Sequence, residues 1–113
     1  MKDSLYTYKV LDIRVIDGDT VDLVIDLGFY LYRKIRLRLV GFNAPEIRGK
    51  KKEEGLIAKE KLKKILSQKS SWIVKTYKDT GIYGRYYGEL ISVDGKINAN
   101  KEMERALEEM HAH

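Results

Sequence analysis

Two stretches of alternation constrain this chain more than any other feature. Val21, Leu23, Ile25 and Leu27 alternate with polar neighbours, and Ile35, Leu37 and Leu39 alternate with Lys34, Arg36 and Arg38. Successive side chains of an extended strand point to opposite faces, so each stretch has one apolar face to bury and one polar face to leave in water. Such half-buried strands must pack their apolar faces together in a sheet or barrel. In the second stretch the outward face is uniformly basic.

The remaining elements follow by the same reasoning. Val10 to Ile16 reads as a strand rich in branched residues, broken by the turn chemistry of Asp17-Gly18-Asp19. Gly28 marks the turn after the second strand. Gly41 to Lys52 is polar, holds the chain's one proline (Pro45) and reads as a loop. Ala58, Leu62, Ile65 and Leu66 form one stripe of a helix, with Lys59, Lys61, Lys63 and Lys64 on its solvent side. Trp72 to Tyr77 and Tyr86 to Ser92 read as two further strands around a polar loop, Lys78 to Gly84. Val93-Asp94-Gly95-Lys96 is a turn. Met103, Ala106, Leu107 and Met110 give a terminal helix, capped by Asn98 or Asn100. The expected fold is α+β and mainly β: a five-stranded OB-type barrel with a helix between strands 3 and 4 and a C-terminal helix.

A length of 113 residues suits one domain, here 1–113. The absence of cysteine excludes disulfides and thiolate metal sites. The net charge of +5 attracts polyanions, of which nucleic acid is the commonest. Met1 to Tyr8 lacks a signal-peptide run, and no stretch approaches the ~20 apolar residues of a membrane span. The expectation is a monomer of the cytoplasm with no membrane partner, although a processed secreted chain would read the same way.

Three segments could carry chemistry. Asp17, Asp19 and Asp22 crowd one turn, and their carboxylates suit either turn formation or a hard cation. An EF-hand is excluded, because Asp22 and Gly28 stand where its glycine and closing glutamate belong. Arg38 precedes a loop holding Asn43 and Glu46, a pairing of guanidinium and carboxylate that suits phosphate binding and general-base work, or plain solvation. Tyr83-Gly84-Arg85-Tyr86-Tyr87 sets aromatics beside an arginine, as base stacking or ordinary strand packing would require.

Taken together, these segments resemble the staphylococcal nuclease family. Ile16-Asp17-Gly18-Asp19-Thr20-Val21 is similar to its Asp-Gly-Asp-Thr turn. Arg38 through Pro45-Glu46 is similar to its arginine followed by Asp-x-Pro-Glu, and Tyr83-Gly84-Arg85 to its Tyr-Gly-Arg. Glu54-Gly55 with Ala58 resembles the Glu-Gly-x-x-Ala that opens its first helix. The likeness runs from about Val10 to Asn98, in order and in register.

The resemblance implies a Ca²⁺-dependent nuclease that cuts DNA or RNA, single strands included, to 3′-phosphate ends. Asp19 would bind Ca²⁺ directly, with Asn43, the Ala44 carbonyl and, through water, Asp17 around it. Arg38 and Arg85 would hold the scissile phosphate, Glu46 would activate water, and Tyr83 would line the pocket. Asn43 departs from the family's aspartate, which implies weaker Ca²⁺ binding. No tyrosine follows Tyr87, so the family's later stacking tyrosine has no counterpart, and the C-terminal segment after the second helix reads as truncated. Asn43 also favours a second reading, a non-catalytic module binding nucleic acid or protein. An unrelated OB domain for oligosaccharide or assembly would leave the Asp-Gly-Asp turn and the arginines unexplained.

Overall fold

The computed structural model describes residues 6–47, 51–80 and 86–111. Strands β1 (Thr7–Asp17), β2 (Thr20–Gly28) and β3 (Leu31–Leu39) precede helix α1 (Lys52–Leu66), and β4 (Trp72–Thr80) and β5 (Tyr86–Ser92) precede helix α2 (Ala99–His111). The strands close into a barrel in the order β1-β2-β3-β5-β4. All neighbours are antiparallel except β3 and β5, whose parallel seam pairs Leu37 with Tyr86, Arg38 with Tyr87 and Leu39 with Gly88. The expected OB-type barrel with its two helices is the architecture observed.

The alternating residues fill the barrel. Val21, Leu23, Ile25, Ile35, Leu37 and Leu39 are buried, together with Val74 and Leu90 from β4 and β5. Ala58, Leu62, Ile65 and Leu66 of α1 and Met103 and Leu107 of α2 join the same core. Full burial of a leucine such as Leu62 is worth about 1.5–3 kcal/mol. Trp72 links the layers: its indole N–H reaches the carbonyl oxygens of Leu66 and Lys69, each at 3.2 Å, and so answers a carbonyl that the helix end leaves without a partner.

Several boundaries differ from the sequence reading. β1 begins earlier and runs on through Asp17, which pairs with Thr20, so the aspartate expected in the turn closes the ladder instead. β3 begins at Leu31, and β4 continues to Thr80, beyond the Tyr77 end expected. Leu27 breaks the alternation. A register shift between Asp26 and Gly28 turns it outward, and it is 40% exposed. The two candidate caps separate in role. Asn98 caps α2 by accepting the Lys101 N–H at 3.2 Å. Asn100 is buried: it accepts the Leu90 N–H at 3.1 Å and donates to the carbonyls of Val40 at 2.9 Å and Gly88 at 3.0 Å. One amide thus ties α2 to β5 and to the end of β3.

Candidate active site

The β1–β2 turn and the end of β3 meet at one rim of the barrel, and small residues let them approach. A Cβ on Gly18 would lie 2.8 Å from the Cβ of Ala58 and 2.9 Å from that of Ala44, so the turn is pressed between α1 and the loop after β3. A Cβ on Gly55 would lie 2.3 Å from the Glu46 carbonyl oxygen. Gly55 and Ala58 lie three residues apart, on neighbouring positions of one helical face. They therefore form a flat seat that fixes both the Asp17–Asp19 turn and the Ala44–Glu46 loop. Gly41, with φ 102, takes the left-handed turn by which the chain leaves β3 and doubles back.

Asp19 is the centre of this rim. It is 8% exposed. Its Oδ1 accepts the Thr20 hydroxyl at 3.0 Å and its Oδ2 accepts the Ala44 N–H at 2.9 Å. The Arg38 Nη2 stands 3.2 Å from the same Oδ2. Arg38 also donates to the Leu39 carbonyl through Nη1 and to the Asn43 Oδ1 through Nη2. Leu39 in turn donates its N–H to the Asp19 carbonyl at 2.8 Å, which locks the two strand ends together. A buried carboxylate, a fixed guanidinium and an amide oxygen therefore share one small volume.

An open cleft of about 380 Å³ begins here, lined by Arg38, Leu39, Val40, Gly41, Phe42, Asn43 and Tyr87. A larger one of about 620 Å³ lies between β1 and α1, but it shares none of the candidate residues and offers no comparable set of groups.

Of the residues expected at the site, Asp19, Arg38, Asn43 and Ala44 come together. Ala44 contributes its N–H to Asp19, a contact not foreseen. Asp17 sits at the strand end, half-buried, and its charge reaches Arg36. Asp22 faces away from the rim and grips Arg36 through two bonds of 2.7 and 3.0 Å, which holds its carboxyl below the usual range. Glu46 is exposed, and its carboxylate makes no hydrogen bond among the described residues. Arg85 and Tyr83 lie outside the described residues. β5 begins at Tyr86, directly after Arg85 in the chain, and its next residue, Tyr87, pairs with Arg38. Thr20 and Tyr87 were missed by the sequence reading. Thr20 had a signal as the neighbour of Asp19, whereas Tyr87 reaches Arg38 only through the parallel seam.

The donor set is all oxygen, as a hard cation requires, with one buried carboxylate, one amide oxygen and nearby carbonyls. Its charge is low. Among the described residues no group of three or more His, Cys, Asp or Glu could hold a metal ion. The residues fit a weakly held Ca²⁺-type ion at Asp19 and Asn43, where Arg38 now supplies the positive charge.

The profile of the staphylococcal nuclease homologues matches residues 36–106, well over half of the chain. The chain belongs to the staphylococcal nuclease family. No individual curated protein matches it. The matched span begins on β3 and ends within α2, so it takes in Arg38, the Asn43–Glu46 loop and the Gly55–Ala58 seat. The Asp17–Asp19 turn precedes it and touches the matched region through Arg38, Ala44 and Ala58.

Proposed function

We propose that this family member is a metal-dependent nuclease, hydrolysing phosphodiester bonds of single-stranded DNA or RNA to 3′-phosphate products. The observation that carries the reading is the convergence of Asp19, Arg38 and Asn43 on one rim, with the exposed carboxylate of Glu46 two residues beyond Ala44. A phosphodiester is anionic and repels an incoming hydroxide until its charge is matched. Arg38 offers a planar fork to two phosphate oxygens once its bonds to Asn43 and Asp19 are exchanged for them. Arg85, which precedes β5 in the chain, would be the second fork. Glu46 takes a proton from the attacking water, whose oxygen joins phosphorus as the bond to O5′ breaks, and the departing O5′ takes up a proton from solvent to leave as the 5′-hydroxyl. Bound Ca²⁺, held by Asp19 and Asn43 with the Ala44 carbonyl and with Asp17 through water, would supply Lewis-acid charge neutralisation. Tyr83 would border the phosphate.

One observation favours a second reading, a module that binds nucleic acid or protein without cutting: Asn43 removes a carboxylate from a site already poor in them. The two readings separate in one experiment. Single-stranded DNA and RNA are incubated with the protein in Ca²⁺ and in chelator, beside Glu46→Gln and Arg85→Ala. The nuclease reading requires cleavage that needs metal and is lost in both variants. Binding without cleavage supports the second, and cleavage that survives chelator or both substitutions defeats the mechanism.

A further inference from the structure

The turn joining β2 to β3 is Phe29-Tyr30, flanked by the pair Gly28–Leu31. Both aromatics are left-handed, with φ 57 and φ 61, and they are 94% and 91% exposed. A two-residue turn of this kind favours Asn-Gly, and bulky residues are strained there. Exposure gives Phe29 and Tyr30 no compensating burial, so their presence weakens the fold on two counts. Leu31 and Tyr32 extend the same exposed patch. A protruding aromatic patch of this kind marks a contact surface.

The neighbouring charges indicate what it contacts. From this hairpin towards the active-site rim, the outward face of β3 carries Tyr32, Lys34, Arg36 and Arg38 in succession. Residues two apart on a strand are ~6.6–6.8 Å apart, so the row spans about 20 Å. Asp22 pairs with Arg36 and Asp19 with Arg38, while Lys34 and, across the sheet from Asp22, Arg14 add further positive charge, so the row with its partners stays net positive. A lipid surface would call for cations ringing the tip in one plane. Here they run lengthwise, away from the tip and towards Arg38, which matches a linear polyanion.

We propose that Phe29 and Tyr30 form a stacking platform for the bases of single-stranded nucleic acid, remote from the reaction centre and joined to it by the β3 row. The inference rests on the nuclease reading and adds an extended footprint to it. Base stacking on aromatics is tolerant of sequence, and a footprint of this length falls within the ~4–16 nucleotides that an OB barrel covers.

The test is the double substitution Phe29→Asn with Tyr30→Gly, which suits the turn and keeps the barrel folded. Binding of a labelled 12-mer of oligothymidylate is measured by anisotropy in chelator. Cleavage of a nitrophenyl thymidine phosphodiester, too short to reach the hairpin, is measured in Ca²⁺. The expected result is a 12-mer bound roughly 5- to 150-fold more weakly, with cleavage of the short ester unchanged and a thermal midpoint no lower. Equal 12-mer affinity with intact cleavage overturns the platform and leaves the nuclease reading standing. A wild-type chain that neither binds the 12-mer nor cuts the ester removes that reading and the platform with it. Loss of binding to phosphatidylserine vesicles, or of a dimer, at unchanged oligonucleotide affinity assigns the tip elsewhere and also overturns the proposal.

Discussion

Gly55 on α1 lies so close to the Glu46 carbonyl that an added Cβ would sit 2.3 Å from its oxygen. Both partners are backbone, so neither has a flexible end that could yield. Gly55→Ala would ordinarily strengthen an exposed helix by ~1 kcal/mol. Here it is expected to destabilise by roughly 1–3 kcal/mol and to displace the loop that carries Glu46. Urea unfolding gives the first quantity, and amide chemical shifts of Ala44, Glu46 and Ile47 report the second.

Under the nuclease reading Arg38 would have two separable duties, pairing with Asp19 and holding phosphate. Arg38→Ala leaves Asp19 buried without its cation, at a cost of roughly 3 kcal/mol, and is expected to slow cleavage by ~10²–10³. Arg38→Lys restores charge without the fork, so stability should largely return while cleavage does not. Parallel denaturation and cleavage assays on the two variants separate the duties.

Replacing Asn100 by alanine strips partners from the Leu90 N–H and from the Val40 and Gly88 carbonyls. A loss of about 3 kcal/mol is expected. Asn98→Ala, which removes the cap and the bond of 3.1 Å to the Glu89 carboxylate, should cost about 1–2 kcal/mol. Urea midpoints of the two variants must differ in that order.

Asn43→Asp adds a negative charge beside Asp19. Ca²⁺ affinity is expected to rise by about an order of magnitude, read by isothermal titration. Affinity that stays level or falls removes Asn43 from the metal's surroundings.

Asp94 reports on pH. Lys69 at 2.7 Å, the Ser92 hydroxyl and the Lys96 N–H hold its carboxyl well below the usual carboxylate range. A depressed carboxylate contributes stability above its unfolded pKa, ~3.9, and loses it as pH falls through the folded value. Asp94→Asn should therefore be less stable than the wild type at pH 7, and the gap should close in strong acid. Urea midpoints measured from pH 7 to pH 2 follow this: the gap should start to narrow below about pH 4, and a gap that has not narrowed by pH 2 would assign the loss to shape, not charge.

Much of this architecture was legible before any coordinates, because period-two alternation and helical stripes report directly on burial. Val21 to Ile25 and Ile35 to Leu39 declared their inward faces, and Ala58 to Leu66 its stripe. Leu27 misled because a bulge shifts the phase by one residue, and nothing in local composition marks it. Asp19 and Arg38 were visible as chemistry, but their direct ion pair was not, since it depends on how two strand ends meet. Tyr87 was unreadable as a neighbour of Arg38 because a parallel seam joins residues far apart in the chain. Asn100 looked like a cap because caps are local, whereas its actual partners are Leu90 and Gly88 on β5 and Val40 just beyond β3.

The parallel seam also bears on how the chain is made. A ribosome adding ~5–20 residues per second releases β3 seconds before Tyr86 to Gly88 emerge to cover its edge. For that interval the nascent hairpin presents unpaired amides and carbonyls that another polypeptide could join. Lys34, Arg36 and Arg38 line the waiting strand, and their mutual repulsion between neighbouring copies guards it against aggregation until synthesis catches up.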